Sequence, residues 1–314
     1  KMPITLAGTG TSTLDLGANS LTYSDASAAS IEVGARTFAI TGSGNLSNNA
    51  TNTLDLDNAN SIITLNGATV THATQSVAIN EDVDADKGIL TNGDSTFTTF
   101  VMDASAAFIG TATTTVTNGF NVGANILNIG NTGTLDSGGN ITMNNVDSKL
   151  LFSGAGRVDC PIVVSAIPNS GKGIDVDASG ASLFGNLTLD TSGNIDIATN
   201  TTFFYEGATI DISNNDSLTL TGVDATSILQ GTNNLQISNT GNLTIGGDIL
   251  LKIPITLAGT GTNTLDLGAN SLTYTDASAA RIYVSNRTFN ILGAGNLSNN
   301  ATNTIDLSGG SVLN

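Results

Sequence analysis

The chain has 314 residues, of which 11% are charged and 4% are aromatic, and it contains no Trp. Nine Lys and Arg stand against 26 Asp and Glu, so the formal net charge is −17. Because nucleic-acid affinity comes largely from cations that displace condensed counterions, this charge argues against nucleic acid as a partner. The apolar run at residues 249–255 is interrupted by Lys252 and Pro254 and is far shorter than a membrane-spanning helix. We therefore expect no membrane span in this segment.

A tandem duplication relates the two ends of the sequence. Residues 2–56 return as residues 253–307, an offset of 251, and the two copies differ at 11 of 55 positions without a gap. So close a match indicates a recent duplication. We therefore expect residues 1–314 to form a single continuous coil that is a window on a longer tandem array.

Short apolar-x-apolar patterns follow one another along the chain and predict half-buried strands. Their starts are mostly 7–10 residues apart, and every third pattern returns after 23–25 residues. Three short strands per rung of about 24 residues predict an all-β fold, a right-handed parallel β-helix, or β-solenoid. A sandwich or barrel is the alternative, but antiparallel hairpins do not need a three-face period. In chain order the patterns include Leu14/Leu16, Leu21/Tyr23, Ile31/Val33, Phe38/Ile40, Leu54/Leu56, Leu187/Leu189, Ile195/Ile197, Ile210/Ile212, Leu218/Leu220, Leu235/Ile237 and Leu243/Ile245.

A recurring motif, Gly-Asn followed by Leu or Ile and then Ser, Thr or Asp, precedes many of these strands. Gly and Asn tolerate the left-handed backbone conformation, so the motif predicts sharp corners in that conformation. It begins at Gly44, Gly139, Gly185, Gly193, Gly241 and Gly295.

The runs TNTLDLGANSLT, NNATNTLDL and SGNIDIATN resemble the passenger repeats of autotransporter and filamentous-haemagglutinin-type adhesins. They are also similar to the β-strand repeats of giant bacterial surface proteins. The resemblance covers essentially the whole chain, rests on composition and periodicity, and transfers no functional residue. It implies a right-handed β-helix on or outside a bacterial cell.

Residues 80–94 are locally different from the rest of the chain. The alternating Asp82, Asp84 and Asp86, followed by Asp94, resemble the oxygen-rich loops that bind calcium, although Lys87 stands where such a loop has glycine. A charged turn that interrupts the solenoid would have the same sequence pattern. We predict a calcium site at these four carboxylates, inside an irregular excursion over about residues 75–108.

The groups that catalysis needs are scarce. His72 is the only imidazole and is predicted to lie on a surface strand or turn. Cys160 alternates with Val158 and Ile162, so its side chain is predicted to point inward as a small apolar group. Because some parallel β-helices act on polysaccharides, an enzyme of that class is an alternative by analogy of fold alone.

Several Asp lie between two inward apolar residues, so alternation directs their side chains to solvent. A solubilising coat that prevents sheet-to-sheet aggregation is one interpretation, and cations shared between rungs or neighbouring rods are the other. The Asp in this setting are Asp15, Asp55, Asp196, Asp211, Asp266 and Asp306.

Together these patterns predict a non-enzymatic, extracellular or cell-surface structural element such as a stalk, fibre, filament or sheath. Copies of the same protein, joined end to end or laterally, are the expected partners. The alternative is an adhesin that presents a binding site for cell-surface glycans or proteins.

Overall fold

The computed structural model describes residues 4–23, 31–48, 52–71, 75–233, 235–275, 282–284, 286–299, 305–307 and 310–314. The chain divides into two compact units, residues 1–161 (unit 1) and residues 162–314 (unit 2). Each unit is a parallel β-solenoid with three strands per rung of about 24 residues, which confirms the predicted fold. In the part of the chain that the structure describes, no helix is long and apolar enough to cross a membrane.

Unit 1 is built from short strands on three faces. The first face stacks β1-β4-β7-β10-β13-β16-β19, the second stacks β2-β5-β8-β11-β14-β17-β20, and the third contains β3-β6-β9-β12 and β15-β18. The strands are β1 (Thr11–Gly17), β2 (Leu21–Tyr23), β3 (Ile31–Glu32), β4 (Thr37–Gly42), β5 (Asn45–Asn48), β6 (Asn52–Leu56), β7 (Ile62–Asn66), β8 (Thr69–Thr71), β9 (Gln75–Ile79), β10 (Gly88–Gly93), β11 (Ser95–Phe97), β12 (Phe100–Met102), β13 (Ala106–Phe108), β14 (Thr113–Val116), β15 (Phe120–Asn121), β16 (Ile126–Ile129), β17 (Thr134–Ser137), β18 (Ile141–Met143), β19 (Lys149–Phe152) and β20 (Arg157–Val158).

Unit 2 repeats the three faces. Its first face stacks β22-β25-β28-β31-β34-β37-β40, its second stacks β23-β26-β29-β32-β35-β38, and its third contains β21-β24, β27-β30-β33 and β36-β39. The strands are β21 (Ile162–Val164), β22 (Gly173–Val176), β23 (Ser182–Leu183), β24 (Leu187–Leu189), β25 (Gly193–Ile197), β26 (Thr202–Tyr205), β27 (Ile210–Ile212), β28 (Ser217–Gly222), β29 (Ile228–Gly231), β30 (Leu235–Ser238), β31 (Asn242–Ile245), β32 (Ile249–Lys252), β33 (Ile255–Ala258), β34 (Thr262–Asp266), β35 (Ser271–Tyr274), β36 (Ile282–Tyr283), β37 (Thr288–Leu292), β38 (Asn296–Asn299), β39 (Ile305–Asp306) and β40 (Val312–Leu313).

The core of each unit is a set of apolar columns, because parallel strands in register place equivalent side chains directly above one another. Every side chain in these columns is at most 5% exposed. Burial of such side chains against the next rung is the main stabilising contribution to the fold, at about 25 cal/mol for each Å² of apolar surface removed from water. One column of unit 1 runs Phe38, Ile63, Ile89, Phe108, Ile129 and Phe152, and one of unit 2 runs Ile174, Ile195, Leu220 and Ile245.

The predicted irregular excursion over residues 75–108 is wrong for most of its length. The strands β9 to β13 of this segment pair in parallel with their neighbours on the regular faces, and the departure is confined to the loop at residues 80–87. Hydroxyl side chains at inward positions hide the apolar alternation here. The hydroxyls of Ser76 and Thr98 lie 2.5 Å apart, and those of the buried Thr91 and Thr114 lie 2.9 Å apart.

The glycines of the corner motif do not adopt the left-handed backbone conformation that the sequence predicts. None of the six glycines that begin the motif has a positive φ. A Cβ on Gly44 would instead lie 1.8 Å from the carbonyl oxygen of Asn19 in the preceding rung, and a Cβ on Gly295 would lie 1.9 Å from that of Asn270. At Gly44 and Gly295 the motif therefore needs glycine because successive rungs approach closely at the corner.

Candidate functional site

The predicted calcium ligands Asp82 and Asp94 each serve the local backbone. The Asp82 carboxylate accepts a hydrogen bond from the backbone N–H of Ser105 at 2.7 Å. The Asp94 carboxylate accepts one from the backbone N–H of Thr113 at 2.9 Å. Both bonds reach to a following rung, so each carboxylate helps to tie successive rungs together.

The other two predicted ligands lie in the loop before β10. Lys87 pairs with Asp86 at 2.7 Å, and this hydrogen bond is the main cause of the lowered pKa of Asp86. Asp84 joins the loop to the preceding rung, because its backbone N–H donates to the carbonyl of Ala59 at 3.0 Å. Within the described ranges, no group of three or more His, Cys, Asp or Glu side chains is placed to hold a metal ion. The structure therefore does not bring the four carboxylates together, and calcium binding stays a prediction.

His72 and Cys160 each occur once in the chain and are its most reactive side-chain types. His72 lies outside the described residues. Cys160 is a free thiol that is 1% exposed, which confirms the predicted inward orientation. Burial, with the nearby carboxylate of Asp136 as the next cause, raises the pKa of this thiol to about 12. A thiol with such a pKa is protonated at neutral pH and is a poor nucleophile.

The aspartates that alternation directs to solvent do not all reach it. Asp15 and Asp211 are exposed, as predicted. Asp55 is only 9% exposed, because the side-chain amide of Asn80 in the next rung covers it and donates to it at 2.5 Å. The prediction is therefore wrong for Asp55, whose carboxylate is part of the contact between two rungs.

The duplicated segment forms the same rung in both units. A buried tyrosine hydroxyl accepts a backbone N–H, and an aspartate accepts the N–H two residues later to close the corner. The equivalent bonds are Ile4 to Tyr23 at 3.2 Å and Ile255 to Tyr274 at 3.3 Å, then Gly17 to Asp15 at 3.0 Å and Gly268 to Asp266 at 2.9 Å. The duplication thus copies a structural unit together with its internal bonds, and the copied aspartates have a structural role.

Sequence reasoning missed one concave surface, on the first face of unit 2. Asp196 on β25 and Thr221 on β28 line two adjoining depressions of about 260 and 290 Å³. Asp175 on β22 lies directly opposite Asp196 in the register, at the strand spacing of about 4.8 Å. We call this surface the acidic depression. The Ile-Asp-Ile and Ile-Asp-Val patterns predict the outward carboxylates, but nothing in the sequence predicts the walls around them.

The walls of the acidic depression are two loops that carry exposed apolar side chains. Ile167, on the loop before β22, is 60% exposed, and Val223, on the loop after β28, is 66% exposed. Asp224 orders the second loop, because its carboxylate accepts the N–H of Thr226 at 2.8 Å and the hydroxyl of Thr199 at 2.9 Å. These hydrogen bonds lower the pKa of Asp224, led by those from Thr226.

The acidic depression therefore combines carboxylate and hydroxyl groups on its floor with apolar side chains at its rims. Carboxylates accept hydrogen bonds from polyhydroxylated molecules, and hydroxyls both donate to them and accept from them. Small apolar surfaces cover the C–H faces of such molecules. The side chains that line the two depressions include Asp175, Asp177, Asp196, Thr219 and Thr221, and each of them can form hydrogen bonds with a ligand.

Comparison with family models, with curated proteins and with solved structures finds no match to this chain.

Proposed function

We propose that this protein is a non-enzymatic structural β-solenoid, a repeating element of an extracellular or cell-surface stalk, fibre, filament or sheath. The observation that carries the proposal is the duplicated rung, which has the same hydrogen bonds and the same corner in both copies. A rung whose stability comes from its own bonds and from its neighbours can be added repeatedly without a new core. Duplication then lengthens the element without changing its cross-section.

The chemistry of the side chains supports a structural role. The Asp carboxylates at the corners and loops accept hydrogen bonds from backbone groups, and the one described thiol is buried with a raised pKa. These groups stabilise the coil itself. A net charge of −17 on the surface keeps neighbouring coils apart unless a specific contact joins them.

The test of this proposal is the location and form of the protein in the cells that make it. Antibodies raised against residues 1–314 should label intact cells on fibres or on a continuous outer layer, and external protease should remove the label. Labelling that appears only after the cells are permeabilised would refute the extracellular role.

An adhesin is the second candidate, and the acidic depression is the observation that favours it. Its polar floor and apolar rims suit a glycan of a cell surface. Binding to a panel of immobilised glycans is the assay. We expect Asp196→Asn to weaken binding at least tenfold, and Asp211→Asn, in the same Ile-Asp-Ile setting outside the depression, to leave it unchanged. Equal binding by the two variants would show that the acidic depression is not the glycan-binding site.

A further inference from the structure

Apolar side chains occupy outward positions on the second face of unit 2. On β26, β29 and β32 the outward residues Phe204, Ile228 and Leu250 are half-buried. Phe184, directly after β23, is 40% exposed. Because contiguous apolar surface in contact with water is unfavourable, such a patch marks a surface that a partner covers. The second face of unit 1 instead has threonine at the outward positions of β8, β11 and β14, namely Thr69, Thr71, Thr96, Thr113 and Thr115.

The strand register arranges the outward side chains of β26, β29 and β32 in two adjoining columns. In one column, Ile228 lies opposite Leu250. In the other column, Phe204 lies opposite Gln230, and Gln230 lies opposite Lys252. Neighbouring members of a column are about 4.8 Å apart, at the strand spacing. An apolar column therefore lies beside a column that runs from an aromatic ring through an amide to a cation.

Opposite charges lie at the two ends of this surface. Glu206 directly follows β26, and its carboxylate accepts a hydrogen bond from the hydroxyl of Thr232 at 2.9 Å. Lys252 ends β32, two strand spacings or about 10 Å further along the stack. Among the residues that the structure describes, no carboxylate lies within ion-pair distance of Lys252. We define the lateral patch as Phe204, Glu206, Ile228, Gln230, Leu250 and Lys252.

We propose that the lateral patch docks against the same patch of a second copy of this chain, with the two coils antiparallel. A two-fold axis along β29 places Ile228 of one copy against Ile228 of the other and brings β32 of each copy over β26 of the other. Lys252 then lies opposite Phe204 of the other copy and next to its Glu206, and both groups attract the ammonium. This inference rests on the proposed structural function and identifies the partner for lateral assembly.

The charges of the lateral patch select the antiparallel arrangement. In a parallel pair, Lys252 would share a rung with Lys252 of the other copy, and Glu206 with Glu206, so like charges would meet. In the antiparallel pair both contacts join opposite charges. Gln230 lies on the two-fold axis, where its amide can donate to and accept from the same amide of the other copy. A polar pair of this kind fixes the register of an otherwise apolar contact.

The size of the lateral patch and the charge of the chain indicate a reversible contact. A standard interface uses about 20–30 residues a side, and the lateral patch has far fewer. The net charge of −17 on each copy also opposes association. Two copies should therefore pair only where apolar surface and opposite charges coincide, as they do at the lateral patch.

Sedimentation velocity of the full chain over a range of concentrations is the first test. We expect a reversible equilibrium between monomer and dimer, and Ile228→Thr should raise its dissociation constant by about tenfold or more. Val223→Thr makes a similar change at an apolar side chain that is 66% exposed outside the lateral patch, and it should leave association unchanged. Circular dichroism shows that both variants are folded. A chain that remains monomeric, or equal association by the two variants, would overturn the proposal.

Charge reversal tests the antiparallel pairing. Lys252→Glu and Glu206→Lys should each weaken self-association by about tenfold or more, because each places like charges in both contacts of the dimer. An equimolar mixture of the two variants should associate as the unchanged chain does, since every contact between them joins opposite charges. Lys172→Glu changes the net charge equally outside the lateral patch and should have no effect. A mixture that associates no better than either variant alone would overturn the proposal, whereas the structural function is judged separately by the location of the protein on cells.

Discussion

Gly42 and Gly67 offer a direct test of how closely the rungs are stacked. Both have a left-handed backbone, with φ of +89° and +85°. A Cβ on Gly42 would lie 2.3 Å from the carbonyl oxygen and 2.5 Å from the backbone nitrogen of Gly17 in the preceding rung. A Cβ on Gly67 would meet nothing closer than the carbonyl oxygen of Gly42 at 3.6 Å, which is ordinary van der Waals contact. Alanine at Gly42 therefore adds a backbone clash, and alanine at Gly67 does not.

The two substitutions should differ by the cost of that clash. An L residue in the left-handed region costs about 1–2 kcal/mol, and both variants pay it. Forcing an extra carbon into a packed site costs about 1–3 kcal/mol more, and no rotamer change can relieve a contact with backbone atoms. We therefore expect Gly67→Ala to lower the free energy of unfolding by about 1–2 kcal/mol and Gly42→Ala to lower it by about 2–5 kcal/mol.

Urea denaturation gives the free energies, and hydrogen–deuterium exchange of residues 37–66 places the loss at the corner between β4 and β5. The expected difference corresponds to faster local opening in Gly42→Ala by about one to two orders of magnitude. Gly293→Ala repeats the test in unit 2, because a Cβ there would lie 2.3 Å from the carbonyl oxygen of Gly268. Equal losses for Gly42→Ala and Gly67→Ala would refute the close stacking of rungs at this corner.

Three further predictions follow from buried groups. Burial raises the pKa of the Cys160 thiol to about 12, so above pH 9 this thiol stays protonated in the folded state but ionises in the unfolded state. The free energy of unfolding should therefore fall by about 4 kcal/mol as pH rises from about 9 towards 12. Cys160→Ala should remove that part of the pH dependence in urea titrations. Tyr205→Phe removes a hydroxyl that accepts from a backbone N–H at 3.1 Å and donates to a carbonyl at 2.5 Å, and should cost about 1–3 kcal/mol in the same assay. Leu220→Ala truncates a fully buried side chain and should lower the free energy of unfolding by about 2–5 kcal/mol. Val223→Ala truncates a side chain that is 66% exposed and should change it by less than about 0.5 kcal/mol. Similar losses for the two variants would contradict the placement of Leu220 in an apolar core column.

The rung architecture was predictable because the inward residues alternate at the period of a strand and because every third strand returns to the same face. Leu218 and Leu220 of β28, for example, are both fully buried. The residues around β9 to β13 were harder to predict, since hydroxyl groups such as Thr91 occupy inward positions and bond to one another across rungs. A pattern based on hydrophobicity alone cannot recognise such positions.

The position of side chains relative to neighbouring rungs was not predictable from local sequence. Asp55 has the same alternating setting as Asp211, yet Asn80 of the following rung covers it. The glycine of the corner motif, as at Gly44, responds to a carbonyl 25 residues earlier in the chain. The acidic depression around Asp196 likewise depends on loops from different rungs. All three are determined by stacking, which a single rung's sequence does not contain.

Electron cryomicroscopy of the native material tests the structural role most directly. We expect long fibres or sheets with an axial strand spacing of about 4.8 Å and, at about 24 residues per rung, a longer repeat of about 50 Å from the 251-residue duplication. Imaging the same material after treatment with a chelator tests whether calcium holds the rods together laterally. If it does, the fibres should separate into single rods. Short isolated particles that end in a distinct globular tip, without a longer repeat, would contradict the structural role and make this segment the stalk of an adhesin.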